Sequence, residues 1–140
     1  MKIVEAMSSY VEFIGADAPV SEAAEMMGEL DVGGLPVGTA DRLEGVVTDR
    51  DLLYRVVARG LDASAVRVRD VMSRPVIACH EDDTVRAVLD MMASHHIRRM
   101  PVLDAADKVT GWVSLADLSR KLLVEDPALQ GALQHLTETE

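Results

Sequence analysis

The chain has 140 residues, 49% of them hydrophobic and only 3% aromatic, with a formal net charge of −10. This length and composition exclude a disordered chain and suit one compact domain whose interior is filled by Val, Leu, Met and Ala. The acidic balance disfavours nucleic acid and an anionic membrane surface as partners, so an anionic ligand must be met by a local cluster of Arg and helix N-termini. Cys79 is the only cysteine, which leaves no intrachain disulfide and no thiolate metal cage. Residues 1–30 lack the layout of a signal peptide, and no stretch reaches the roughly 18 apolar residues a membrane span needs. A cytoplasmic protein is expected.

In chain order, residues 11–14 read as a short strand, and Asp17 with Pro19 supplies helix-start chemistry. Val20, Ala23, Ala24, Met27 and Leu30 then recur at helical spacing. A strand around Pro36-Val37, a turn over 39–42 and a second strand follow, and a helix begins near Thr48. Gly60 reads as a helix C-cap leading into a linker over 62–68. The series then starts again. Residues 76–79 read as a strand and 82–84 as a helix start, with Val85, Val88, Leu89, Met92 and His95 at helical spacing. Another strand (Pro101-Val102), a turn over 104–108, a further strand and a helix from Ser114 complete it. Beyond Pro127, Leu129, Leu133 and Leu136 share one helical face, suited equally to the chain's own domain and to a partner.

Laid on itself, the chain repeats. Met7-Ser8 falls on Met72-Ser73, Asp17 on Asp82, Met26-Met27 on Met91-Met92 and Pro36-Val37 on Pro101-Val102. After one inserted residue Gly45 meets Gly111, Thr48 meets Ser114, and Asp51-Leu52 meets Asp117-Leu118. The expected fold is α/β (α+β): two tandem β-α-β-β-α repeats, residues 1–62 and 63–126, packed sheet to sheet about a pseudo-two-fold, with a tail over 127–140. One copy is too small to bury its sheet alone.

Val-Met-Ser opening a copy, Arg-Arg-Met-Pro-Val, and Gly-Trp-Val-Ser-Leu-Ala-Asp-Leu carry a resemblance, as do Gly-Gly-Leu-Pro-Val and Gly-Val-Val-Thr-Asp-Arg-Asp-Leu in the first copy. Over about residues 3–124 the chain resembles a tandem pair of cystathionine-beta-synthase (CBS) domains, a Bateman module. The resemblance implies adenine-nucleotide binding in clefts between the copies and pairing of modules into a flat homodimer. It also implies a regulatory role rather than an enzymatic one, because catalytic relatives carry a further domain.

Thr48-x-x-Asp51 and Ser114-x-x-Asp117 have the spacing of a capping box. The same spacing suits a ligand, with helix N–H groups for a phosphate and a carboxylate for ribose hydroxyls, and in the resembled family the element plays that role. Arg98 and Arg99 read either as a solvated pair or as a planar-donor pair for phosphate. Gly33-Gly34 stand at the matching places of copy one, so the two clefts are expected to be unequal. Arg50 is a third candidate cation. Ile14, Ala16, Val37, Ile77, Ala78 and Val102 lie where the family lines an adenine slot, with ordinary core as the competing reading. Cys79 and His80 point to opposite strand faces, and His95 and His96 diverge by about 100° on a helix, so no metal is expected. No nucleophile elbow, zinc-protease or phosphate-loop motif occurs, and no catalytic residue is assigned. Two functions stand: a sensor of AMP or ATP, and a dimeric interaction scaffold whose clefts no longer bind. A protein partner is left open in both.

Overall fold

Val20, Ala23 and Met27 recur at helical spacing, and helix α1 (Val20–Leu30) buries all three against the first sheet. These elements belong to a computed structural model that describes residues 1–123, 131 and 135. The expected tail stripe of Leu129, Leu133 and Leu136 lies outside the described residues. Strands β1 (Gly34–Gly38) and β2 (Leu43–Thr48) pair antiparallel, with Gly34 opposite Thr48. A short helix α2 (Asp49–Leu52) runs on into a π-helical turn over Leu53–Val57, and Gly60 ends the segment at φ +66. Helix α3 (Val68–Val71) is a single turn. The second copy supplies β3 (Cys79–His80), α4 (Val85–His95), β4 (Arg99–Leu103), β5 (Val109–Ser114) and α5 (Leu115–Leu123). Its sheet has the order β3-β4-β5, with Arg99 opposite Ser114.

The copies agree in detail. Helices α1 and α4 end on left-handed residues at matching places, Asp31 (φ 55) and His96 (φ 54), each sending its N–H back to a helical carbonyl. They differ at the helix start: Thr84 caps α4 by accepting from Ala87 N at 3.1 Å, whereas α1 follows Pro19 without a side-chain cap. Asp17, expected to start α1, pairs instead with Arg69 at 3.1 Å. The strand expected at 11–14 is reduced to one bridge, Ile14 beside Val37, because only Ile14 N and Ile14 O find ladder partners, in Pro36 and Gly38.

The opening turn of each copy packs on the other copy. A 3-10 turn over Ile3–Glu5 seats Ile3 and Ala6 in the core formed by Cys79, Val88, Met100 and Leu118. Val68, Val71 and Met72 enter the core of Ile14, Val20, Val37 and Val47. Backbone bonds lock both exchanges: Ser8 pairs with Trp112 on the edge of β5, and Ser73 with Val46 on the edge of β2. Two glycines make room. A Cβ at Gly45 would lie 2.7 Å from Met72 Sδ and 3.2 Å from Ser73 O, and a Cβ at Gly111 would collide with Met7 Sδ. Among the described residues no helix is long and apolar enough to cross a membrane.

The seating of Met72 over Gly45 is testable by a double-mutant cycle. Gly45→Ala should destabilise by about 1–3 kcal/mol through overpacking, and Met72→Ala by about 2–5 kcal/mol through lost burial. Because the two side chains compete for one space, urea unfolding should find the double variant less destabilised than the sum of the singles. Additive losses would contradict the close approach.

Candidate functional site

Thr48 and Asp51 form a reciprocal capping box at the start of α2. Thr48 Oγ1 accepts from Asp51 N at 3.1 Å, and Asp51 Oδ2 accepts from Thr48 N at 2.9 Å. Asp51 is only 7% exposed, and Ser73 Oγ from the opening turn of the second copy donates to both its carboxylate oxygens, at 3.0 and 3.2 Å. Arg55 Nη1 stands 3.8 Å from Asp51 Oδ1 and donates to Val71 O and Met72 O. In the second copy Ser114 Oγ accepts from Asp117 N at 3.1 Å, but Asp117 turns its carboxylate to Arg120, 2.9 Å away, and stays 39% exposed. The matching aspartates therefore sit in different environments.

A cleft of about 390 Å³ lies where the copies meet. Copy one lines it with Val46, Thr48, Asp49, Arg50, Asp51 and Arg55, and copy two with Ser73, the Pro75-Val76-Ile77 segment and the chain from His96 to Arg99. Six of the residues singled out from the sequence thus converge: Thr48, Arg50, Asp51, Ile77, Arg98 and Arg99. Arg99 lies across copy one, where a Cβ on Gly33 would stand 2.5 Å from its Nη2 and one on Gly34 would stand 2.7 Å from its Cδ. Gly33-Gly34 thereby form the seat of the arginine as well as the place where copy one lacks cations. Arg99 Nη1 is 3.7 Å from Asp49 Oδ1, and Arg50 stacks over Tyr54 at 5.4 Å.

A second cleft, of about 310 Å³, is lined by Ser8, Tyr10, Val11, Glu12, Gly34, Trp112 and Asp117 among others. It is the repeat-related counterpart of the first, yet among the described residues its lining has two carboxylates and no arginine or lysine. A more open depression of about 590 Å³ near Met7, Arg120 and Lys121 gathers only Asp117 of the candidates.

Other candidates lie elsewhere. Ala16, Val37 and Val102 line neither cleft: each is buried in a core, as is Ile14, and the two valines are paired along their strands. Ala78 is half-buried and lines neither cleft, and Ser114 caps α5 without lining the second one. The sequence reading assigned no ligand role to Asp49, Arg55, Ser73, His96, Tyr10 or Trp112. Ser73 was visible as the partner of Ser8 in the repeat, and that was the one available signal. Burial pushes the Cys79 thiol up to about 12, which makes it a poor nucleophile. A hydrogen bond to Asp107 raises the pKa of the exposed His80 imidazole. Among the described residues no three His, Cys, Asp or Glu side chains gather as a metal site.

The unequal aspartates predict unequal costs. Asp51→Ala strands the Thr48 N–H and the Ser73 hydroxyl and should lose about 1–3 kcal/mol in urea unfolding. Asp117→Ala removes an exposed ion pair and should lose less than about 1 kcal/mol. Equal losses would contradict the burial difference.

Comparison with known proteins agrees with this architecture. Hypoxic response protein 1 of Mycobacterium tuberculosis (strain ATCC 25618 / H37Rv) is 32% identical over 117 residues, 83% of this chain and 81% of that protein. A crystal structure of Hypoxic Response Protein I with two coordinated zinc ions matches with a TM-score of 0.76 at 30% identity, over 86% of this chain and 98% of that one. A hexameric CBS-CP12 protein from bloom-forming cyanobacteria matches with a TM-score of 0.79 at 31% identity, over 91% of this chain and 75% of that one. The family model of the CBS domain matches twice, at residues 3–58 and 68–124. The chain belongs to the CBS-domain family and carries two copies of that domain in tandem.

Proposed function

We propose that this CBS pair is a regulatory module that binds an adenine nucleotide of the AMP or ATP class in the Thr48–Arg99 cleft. Binding would signal through a change of conformation or of partner affinity. The observation that carries the reading is the meeting of Arg98 and Arg99 from one copy with Asp51 from the other. Guanidinium groups suit phosphate oxygens, and a carboxylate suits a ribose diol. Apolar Val76, Ile77 and Ile97 line the same cleft and offer a surface for a base. The second cleft, without a cation in its lining, is the weaker site. Signalling requires that the nucleotide bind two states unequally.

Calorimetric titration of AMP and adenosine tests this. AMP should bind appreciably more tightly than adenosine, and Arg98→Ala with Arg99→Ala should weaken AMP by about 10–100-fold, the loss expected for one or two charge-assisted bonds. Adenosine should change little. Equal losses for both ligands would mean that the arginines support the fold rather than the phosphate.

The scaffold reading has its own support. Leu53, Tyr54 and Val57 are 53%, 57% and 66% exposed on the π-helical turn, an apolar face suited to self-association. A hexameric neighbour at 31% identity points the same way. A homodimer formed through such helices should give twice the chain mass in light scattering, and Val57→Asp should shift it toward monomer. A monomer mass across micromolar concentrations would remove the dimer. Dimerisation without any nucleotide response would leave the scaffold as the function.

A further inference from the structure

Among the described residues, four arginines and two aspartates line the first cleft, a formal +2. The arginines are not equally available. Arg55 is held by Asp51 and two backbone carbonyls, and Arg50 stacks on Tyr54. Arg99 is 25% exposed and paired with Asp49 at 3.7 Å, while Arg98 has no carboxylate partner among the described residues. Asp49 stands apart from the structural carboxylate. It takes no part in the Thr48–Asp51 box, its side chain is 66% exposed, and its one hydrogen bond is to the N–H of the adjacent Arg50. The matching residue of the second copy is Leu115, so the repeat does not need an acid there.

Resting on the nucleotide reading above, we propose that Asp49 sets how many phosphates the cleft accepts. By engaging Arg99 it lowers the positive charge to a value that matches one phosphomonoester dianion, which carries about −1.5 to −2 at neutral pH. A second or third phosphate brings further negative charge toward the same carboxylate and finds Arg99 already paired. Like charge brought near Asp49 disfavours binding in a partly desolvated cleft. Asp49 is then a specificity-determining residue, and the preferred ligand class is a nucleoside monophosphate.

The test is calorimetry of AMP, ADP and ATP in magnesium-free buffer at one ionic strength, on the wild-type chain and on Asp49→Asn. Asparagine keeps the shape and the acceptor for Arg50 N–H, and Asp49→Ser serves as a second variant. The wild-type chain should favour AMP over ATP by about tenfold or more. Both variants should cut that ratio by about tenfold, chiefly by gaining ATP affinity. An unchanged ratio overturns the role of Asp49 while leaving nucleotide binding in place. A wild-type chain that prefers ATP overturns the monophosphate assignment. Failure of all three nucleotides to bind the wild-type chain overturns the underlying function and this inference together.

Discussion

The exchange of opening turns between the two copies is the constraint on which the rest of the molecule depends. Neither sheet is complete within its own copy, because the free edge of β2 is closed by Ser73 and that of β5 by Ser8. Gly45 and Gly111 admit Met72 and Met7 so closely that a Cβ at either place would force the methionine to shift, so the close packing and the pairing of edges are one feature. The first cleft inherits its shape from this exchange. Ser73 both closes the sheet and donates to Asp51, and Arg55 reaches past Asp51 to the carbonyls of the same incoming turn. The buried Asp51 carboxylate is thus held in place by a residue of the other copy, Ser73.

From nearly symmetric backbones come two chemically different clefts. The pseudo-two-fold sets Gly34 and Arg99 at matching positions, and they meet: the arginine lies over the glycines. The cation of copy two therefore occupies space that copy one vacates. On the other side the matching positions hold Tyr10, Glu12, Trp112 and Asp117. The Tyr10 hydroxyl donates to Glu12, and that bond with the adjacent charge raises the phenol pKa. Among the described residues, four arginines and two aspartates line one cleft, and two carboxylates without an arginine or lysine line the other, within a chain whose overall charge is strongly negative.

Much of this was legible in the sequence, for identifiable reasons. Paired Met-Ser, Met-Met, Pro-Val and Asp-Leu steps hold one register with a single inserted residue. Of the positions read at helical spacing, α1 buries Val20, Ala23 and Met27 and α4 buries Val85, Val88 and Met92, while Ala24 and His95 are exposed. Thr48-x-x-Asp51 announces its capping box because that interaction is local. The contacts between copies were not legible. Nothing in spacing says that Arg98 and Arg99 of copy two face Asp51 of copy one rather than Asp117 of their own. Gly33-Gly34 reads in one dimension as missing cations, and only in three as a seat for one. Val37 and Val102 sit beside the site in sequence yet are fully enclosed, since a strand buried on both faces offers a ligand no open side.

The most direct measurement is a crystal structure of the chain grown with AMP. The account predicts one nucleotide per chain in the Thr48–Arg99 cleft, its phosphate against Arg98 and its ribose hydroxyls at Asp51, with the Trp112–Asp117 cleft free of ligand. AMP bound at Trp112 and Asp117 with the arginines uninvolved would contradict it.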